Sequence, residues 1–262
     1  MPDTKLLEKI QTLAVTTIAT NPAGSQFRLI GGFRLRLLDG SPRLSSDIDY
    51  HWDGSLDAKA KEIISLLGRK LLPEVKRRHG YDGSVTLAAG PEADSPFASV
   101  VNLSFYQLGV PLSRIEMPID ITRIECIDPP IVRTVAGTVY LTVSDQDMIE
   151  SKVVGLFNRL FIEGRDLVDI FLFENYLGVD SPARIAGKLA TNNLDHLAIS
   201  KALNRLAKGR KHYVSDIGEI LDNQVDPQVA ARIREGGGET RVFDHVFHIL
   251  EDKLRLRSGG EL

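Results

Sequence analysis

Asp47 and Asp49 stand two apart in the segment SSDIDYHW, where Ile48, Tyr50 and Trp52 alternate with Asp47, Asp49 and His51. That alternation has the period of a β-strand, so both carboxylates leave the same face. Two acids held so close repel each other. A divalent cation between them is a common resolution, and hard oxygen ligands suit Mg²⁺. Asp120 supplies a third acid, set between Ile119 and Ile121 in RIEMPIDITRIE. A lone charge in such an apolar strand is costly, so a metal or a cationic partner is expected beside it. Glu116 shares the Asp120 face, but it precedes Pro118 and reads more simply as a solvated edge acid. Upstream, Gly31 and Gly32 divide a short strand from a helix. Glycines at such a turn let backbone amides approach a phosphate closely. An Asp-x-Asp pair by itself usually marks an acidic strand face in water. The third acid and the glycine pair together make the metal reading worth pursuing.

These residues need elements to hold them. Leu6, Ile10, Leu13, Ala14 and Ile18 recur at helical spacing, which predicts an amphipathic helix over residues 4–20, stopped by Asn21-Pro22-Ala23-Gly24. Residues 27–30 read as a strand, 33–38 as one or two helical turns, and 46–52 as the strand carrying the acids. Ser55 is a fit N-cap for a long helix to about His79, which Pro73 should kink or divide. Residues 84–88, 98–106, 114–124 and 138–143 carry β-branched and aromatic residues between turn signals. From Ser144 the pattern turns helical, with acids in the first turn, and stays so to the end. The expected architecture is α/β (α+β), a mixed sheet flanked by helices over residues 1–143, followed by a helical region over 144–262.

Composition narrows the classes. The 262 residues carry a net charge of −3, which excludes a globally basic nucleic-acid coat. Cys126 is the single cysteine, so no internal disulfide and no cysteine-based zinc site is possible, as suits a reducing compartment. The first residues lack a basic stretch followed by an apolar run, so no signal peptide is expected, and no apolar run is long enough to span a membrane. A cytoplasmic location is expected. His245 and His248 lie three apart on a helix, but without an evident third ligand they read as a half-buried helix face.

The Gly-Gly pair followed by Arg-x-Ser-x-Asp-x-Asp, then an apolar strand with one Asp, resembles the DNA polymerase β-like nucleotidyltransferase superfamily. Residues 148–173, MIESKVVGLFNRLFIEGRDLVDIFLF, narrow the resemblance. They are similar to the Glu-x-x-x-x-Lys … Arg-Asp-x-x-Asp pattern of the AbiEii/AbiGii nucleotidyltransferase toxins, the toxin half of bacterial type IV toxin–antitoxin systems. The resemblance spans roughly residues 27–175. It implies that Asp47, Asp49 and Asp120 are catalytic and bind Mg²⁺, with two metal ions. It implies that Gly31, Gly32, Arg43, Ser45, Lys152, Arg165, Asp166 and Asp169 bind the nucleotide. The family carries a small or polar residue after the glycines, where this chain has Phe33, and often a Glu just before the lysine, where it has Ser151.

The implied reaction takes an NTP, expels pyrophosphate and attaches a nucleotidyl group to an acceptor. By resemblance that acceptor is RNA such as tRNA, or a protein side chain, and a cognate antitoxin is an expected partner. The same core chemistry serves antibiotic-modifying enzymes that act on small molecules. A third reading, a non-catalytic nucleotide- or antitoxin-binding module, sits poorly with the intact acids and Lys152. Two basic clusters tip the balance toward a polyanion. One is Lys201, Arg205, Lys208, Arg210 and Lys211, and the other is Arg69, Lys70, Lys76, Arg77 and Arg78. Each is about as well explained as an ordinary solvated helix face.

Overall fold

A computed structural model describes residues 4–88, 98–107, 109–110, 114–159 and 162–253. The chain forms two compact units. The first is Met1–Ile124 with Pro129–Val143, and the second is Glu125–Asp128 with Ser144–Leu262.

The first unit runs α1 (Thr4–Ala19), β1 (Arg28–Ile30), α2 (Gly31–Asp39), β2 (Ile48–His51), α3 (Leu56–His79), β3 (Asp82–Leu87), β4 (Ala98–Tyr106), β5 (Ile115–Thr122), β6 (Ile131–Val135) and β7 (Thr138–Thr142). Its described strands form one mixed sheet in the order β3-β4-β5-β2-β1-β7-β6. The β2–β5 and β1–β7 pairs are parallel, and the rest are antiparallel. Ile48 and Tyr50 of β2 align with Ile119 and Ile121 of β5, and Val101, Leu103 and Phe105 of β4 continue that face. All are buried, in one core with Ile10, Ala14 and Ile18 of α1 and Ile63, Leu67 and Leu71 of α3. Burial of one face on two helices leaves the alternate residues, including the acids, on the other.

Two sequence expectations change here. Pro73 does not divide α3, which continues from Leu56 to His79. Leu71 and Val75 on either side are fully buried, so packing outweighs the one backbone hydrogen bond that proline removes. The second helix begins at the glycines rather than after them. The strand β6, which was not expected, forms an edge hairpin with β7. Its turn residues Ala136 and Gly137 both have positive φ, 48° and 79°, the twist that two-residue hairpins favour.

The second unit runs α4 (Asp145–Asn158), α5 (Gly164–Leu172), α6 (Ser181–Thr191), α7 (His196–Lys208), α8 (Arg210–Asn223), α9 (Pro227–Glu235) and α10 (Gly238–His248). Val153, Leu156, Leu167, Ile170, Ile185, Leu203, Ile217, Phe243 and Val246 share its core. Ser144 caps α4 by accepting from the Asp147 N–H. Asp147 does more than complement the helix dipole. It is fully buried, accepts from the N–H groups of Ile127 and Asp128, and pairs with Lys188 at 2.6 Å. Burial alone would raise its pKa, but Lys188 and the two N–H groups outweigh that and hold it below the usual carboxylate range. Glu150, also fully buried, pairs with Lys188 at 2.8 Å and Arg184 at 2.9 Å. No helix among the described residues is long and apolar enough to cross a membrane.

Candidate active site

Gly31 follows β1 directly with a φ of +75°, a conformation that glycine adopts without steric cost. Ile30 pairs with Asp49 across the β1–β2 ladder. A Cβ added to Gly31 would lie 1.8 Å from Asp49 Oδ2, so the carboxylate fills the space a side chain would take. Gly32 is equally committed. A Cβ there would meet Arg43 Nη2 at 2.5 Å and Ser45 Oγ at 2.8 Å. The glycine pair therefore gathers Asp49, Arg43 and Ser45 around the start of α2, which has no side-chain cap. Backbone N–H groups at such a helix start attract anions. Phe33 is buried in the core of the unit and takes no part.

Strand register brings two of the three acids together. Asp49 and Asp120 are direct partners in the parallel β2–β5 register, so their side chains leave the same face side by side. Asp47 lies just before β2 rather than in it, and its Oδ1 accepts from Ser45 Oγ at 2.6 Å. Arg43 donates to the Leu44 carbonyl at 2.8 Å. All three acids are half-buried. Glu116 is exposed and pairs with Arg114. Among the described residues, no three or more His, Cys, Asp or Glu side chains are gathered as around a metal ion. The donor set nevertheless fits a hard cation of the Mg²⁺ kind. It is all oxygen, and two of its carboxylates are in register. Mg²⁺ is commonly held by one or two carboxylates with substrate phosphates completing the shell, not by an all-protein cage.

The remaining candidates belong to the second unit. Lys152 Nζ lies 2.9 Å from Asp166 Oδ1 and 2.8 Å from Asp169 Oδ2. Asp169 is fully buried and Asp166 nearly so. Arg159, which the sequence did not single out, pairs with Asp166 at 2.7 Å. Arg165 pairs with Glu163. Lys152, Asp166 and Asp169 thus come together as one ion cluster, and Asp166 and Asp169 sit inside the unit instead of on a solvated helix start.

Sequence reasoning also missed buried polar residues of the first unit, Arg34 and His51 among them. Arg34 is fully buried, pairing with Asp39 at 2.5 Å and with Thr142 at 3.2 Å. Thr142 in turn donates to the Leu29 carbonyl at 2.6 Å, which ties α2 to β7 and β1. His51 closes β2. Its Nδ1 accepts from the Ile124 N–H at 3.0 Å, and its Nε2 lies 2.8 Å from Asp53. Burial lowers the His51 pKa, with Arg28 and Arg123 acting in the same direction and Asp53 opposing. The neutral ring is therefore favoured. The available signal for Arg34 was its place between Phe33 and Leu35 with Asp39 five residues on in the same short helix; for His51 there was none.

A parallel strand pair with in-register acids, next to a glycine turn that opens a helix, is the arrangement expected of a nucleotidyltransferase. The profile of the nucleotidyl transferase AbiEii toxin family, of type IV toxin–antitoxin systems, matches residues 13–235. The chain belongs to that family and is a nucleotidyltransferase toxin. Membership implies a nucleotide substrate and a cognate antitoxin. No curated protein matches the sequence. Among solved structures, the chain is similar to a protein described as a nucleotidyltransferase from H. pylori. The identity is 16%, with 95% of both chains covered and a TM-score of 0.52, a likeness of fold. JHP933 from Helicobacter pylori aligns at 15% identity over 97% of both chains, with a TM-score of 0.47. MenT4, a nucleotidyltransferase toxin from Mycobacterium tuberculosis, aligns at 15% identity over 92% of this chain and 84% of its own, with a TM-score of 0.48.

Proposed function

We propose that this toxin is a cytoplasmic, Mg²⁺-dependent enzyme that transfers a nucleotidyl group from an NTP to an RNA acceptor such as tRNA. The observation that carries this reading is the in-register Asp49–Asp120 pair beside the Gly31 turn. Asp47, Asp49 and Asp120 would hold the metal. When bound, the metal offsets triphosphate charge and polarises the reacting phosphoryl group. The backbone amides at the start of α2, with Arg43 and Ser45, bind and orient the phosphates. The acceptor hydroxyl oxygen bonds to the α-phosphorus, the bond to the bridging oxygen of the β-phosphate breaks, and pyrophosphate leaves. Asp120 takes the hydroxyl proton. Such transfer is mostly positioning and charge stabilisation.

A polyanionic acceptor is supported by α7. Lys201, Arg205 and Lys208 are exposed on one helix face, and Lys201 and Lys208 make no ion pair among the described residues. Arg205 donates to the Arg159 carbonyl, beside the Lys152 cluster. The resemblance assigns Lys152, Arg165, Asp166 and Asp169 to the nucleotide, and that assignment is part of the proposal.

The test is transfer of label from each of the four α-³²P NTPs, with Mg²⁺, into total RNA or protein. The wild-type chain should label RNA. Asp49→Asn removes one negative ligand without changing volume and should lower transfer on the order of 10²–10³-fold, the scale of losing one charge-stabilising group. Wild-type turnover in that variant would reject the site. Label in protein alone would replace RNA as the acceptor.

A further inference from the structure

Gln11 lies on the buried face of α1 among Ile10, Ala14, Val15 and Ile18, and is 1% exposed. A carboxamide in such surroundings is costly unless it is hydrogen-bonded. Its Nε2 donates to the Ser45 carbonyl at 2.9 Å and lies 3.5 Å from the Asp47 carbonyl. Two carbonyl partners require the amide end of the side chain, because only that end donates. Residues 45–47 precede β2 and have no regular secondary structure, so no strand ladder fixes them. Gln11 supplies the hold that the ladder lacks. The chain of contacts then runs from Ser45 Oγ to Asp47 Oδ1 at 2.6 Å.

We propose that Gln11 is a positioning residue for Asp47, setting the segment that carries this carboxylate to the site from a helix on the opposite, apolar face of the sheet. The proposal rests on the reading of Asp47 as a ligand of the Mg²⁺–nucleotide complex. Gln11→Leu keeps the side-chain size and removes the donor. An ionised Gln11→Glu likewise cannot donate, whereas its protonated form can, and burial favours protonation.

Three quantities test this: transfer rate, unliganded melting temperature, and the part of the melting-temperature gain from each NTP that requires Mg²⁺ over EDTA. Gln11→Leu should slow transfer on the order of 10²-fold, the scale expected when a reacting group is misplaced by about 1 Å. It should also lose most of the Mg²⁺-dependent gain while melting only modestly below wild type. The activity of Gln11→Glu relative to wild type should rise as pH falls, and Gln11→Leu should show no such recovery. Transfer and Mg²⁺-dependent gain at wild-type levels in Gln11→Leu, with only a lower melting temperature, would make Gln11 a purely structural residue and overturn the proposal. A wild-type chain with neither transfer nor a Mg²⁺-dependent gain would remove the nucleotidyltransferase mechanism itself, and this assignment with it.

Discussion

The two units each hold a group of aspartates, and they set them in different surroundings. In the first, Asp49 and Asp120 sit side by side on parallel strands, with the Gly31 turn against Asp49 and the Ser45 hydroxyl on the neighbouring Asp47. In the second, Asp166 and Asp169 enclose the Lys152 ammonium within 3 Å, with Arg159 on the outer carboxylate oxygen. The first group is half-buried and built from oxygen donors. The second is buried and carries its own cations. In the second group lysine and arginine meet the carboxylates inside one buried cluster, whereas the first sets two half-buried carboxylates in register beside a glycine turn where an oxygen-liganded cation could join them.

Filling the Gly31 turn should have the largest effect on that contrast. Gly31→Ala forces a Cβ onto Asp49 Oδ2 at a backbone angle unfavourable to alanine. Displacement of the carboxylate should cut transfer on the order of 10²-fold or more, measured by label incorporation. The same substitution at Gly155 of α4, where a Cβ meets open space, should leave transfer unchanged. Equal activity in both variants would erase the distinction between an exacting turn and a permissive helix.

Lys152→Ala tests the other side. It leaves two buried carboxylates without their lysine, so the second unit should lose about 3–5 kcal/mol of stability, read as the shift of its unfolding transition in urea. Lys152→Arg retains a cation for the pair. A raised KM for the NTP in that variant, with stability kept, would give Lys152 the nucleotide role that the resemblance implies. No loss of stability in Lys152→Ala would break the comparison.

The basic clusters divide along the same line. On α3, Lys76 pairs with Asp82, Arg77 and Arg78 pair with Glu74, and Lys70 donates to Asn21. Hydrogen bonds from Arg77 and Arg78 bring the Glu74 carboxyl down to about 2. On α8, Arg210 pairs with Asp244, while the exposed face of α7 keeps Lys201, Arg205 and Lys208. Replacing those three with Gln should flatten the log–log salt dependence of RNA binding by about 2, at roughly 0.7 per lost phosphate contact. Replacing Lys76, Arg77 and Arg78 should change it less. Identical slopes would reduce α7 to a solvated face.

The smallest effect belongs to His51. Its folded pKa lies below the ordinary histidine value, so the unfolded chain binds the proton more readily. The stability due to the neutral ring is therefore complete above the ordinary histidine pKa and is lost as pH falls through the lowered one. Melting temperature should drop over that acid window. In His51→Gln the drop should be shallower, because that group no longer titrates at the end of β2. An unaltered pH slope would place the titration elsewhere.

Much of the site could be read in the chain, for a local reason. Strand period puts Asp49 on the face opposite Ile48 and Tyr50, although Asp47 lies just before the strand rather than in it, and Asp120 between isoleucines announces a charge inside an apolar strand, because alternation is a property of a few adjacent residues. The cap at Ser55 and the helix start at Ser144 were legible for the same reason. The two-residue setting of Gly31 and Gly32 likewise marked a turn before its φ was known.

What stayed hidden was the geometry of pairings between residues far apart in sequence. That Asp49 stands opposite Asp120 depends on β2 and β5 being parallel neighbours in one register, and a slip of one residue would turn Asp120 into the apolar core. That Lys152 closes on Asp169 as well as on Asp166, that Asp147 is buried on Lys188, and that Gln11 bonds to the segment before β2 are likewise matters of which helix packs against which segment. The sequence by itself determined which residues carry charge and which face of a strand or helix they leave. Tertiary structure alone decided whether each charge meets another acid, a lysine or a backbone amide. A side chain's partner is set by burial and register over the whole unit, and neither is encoded in the spacing of its neighbours.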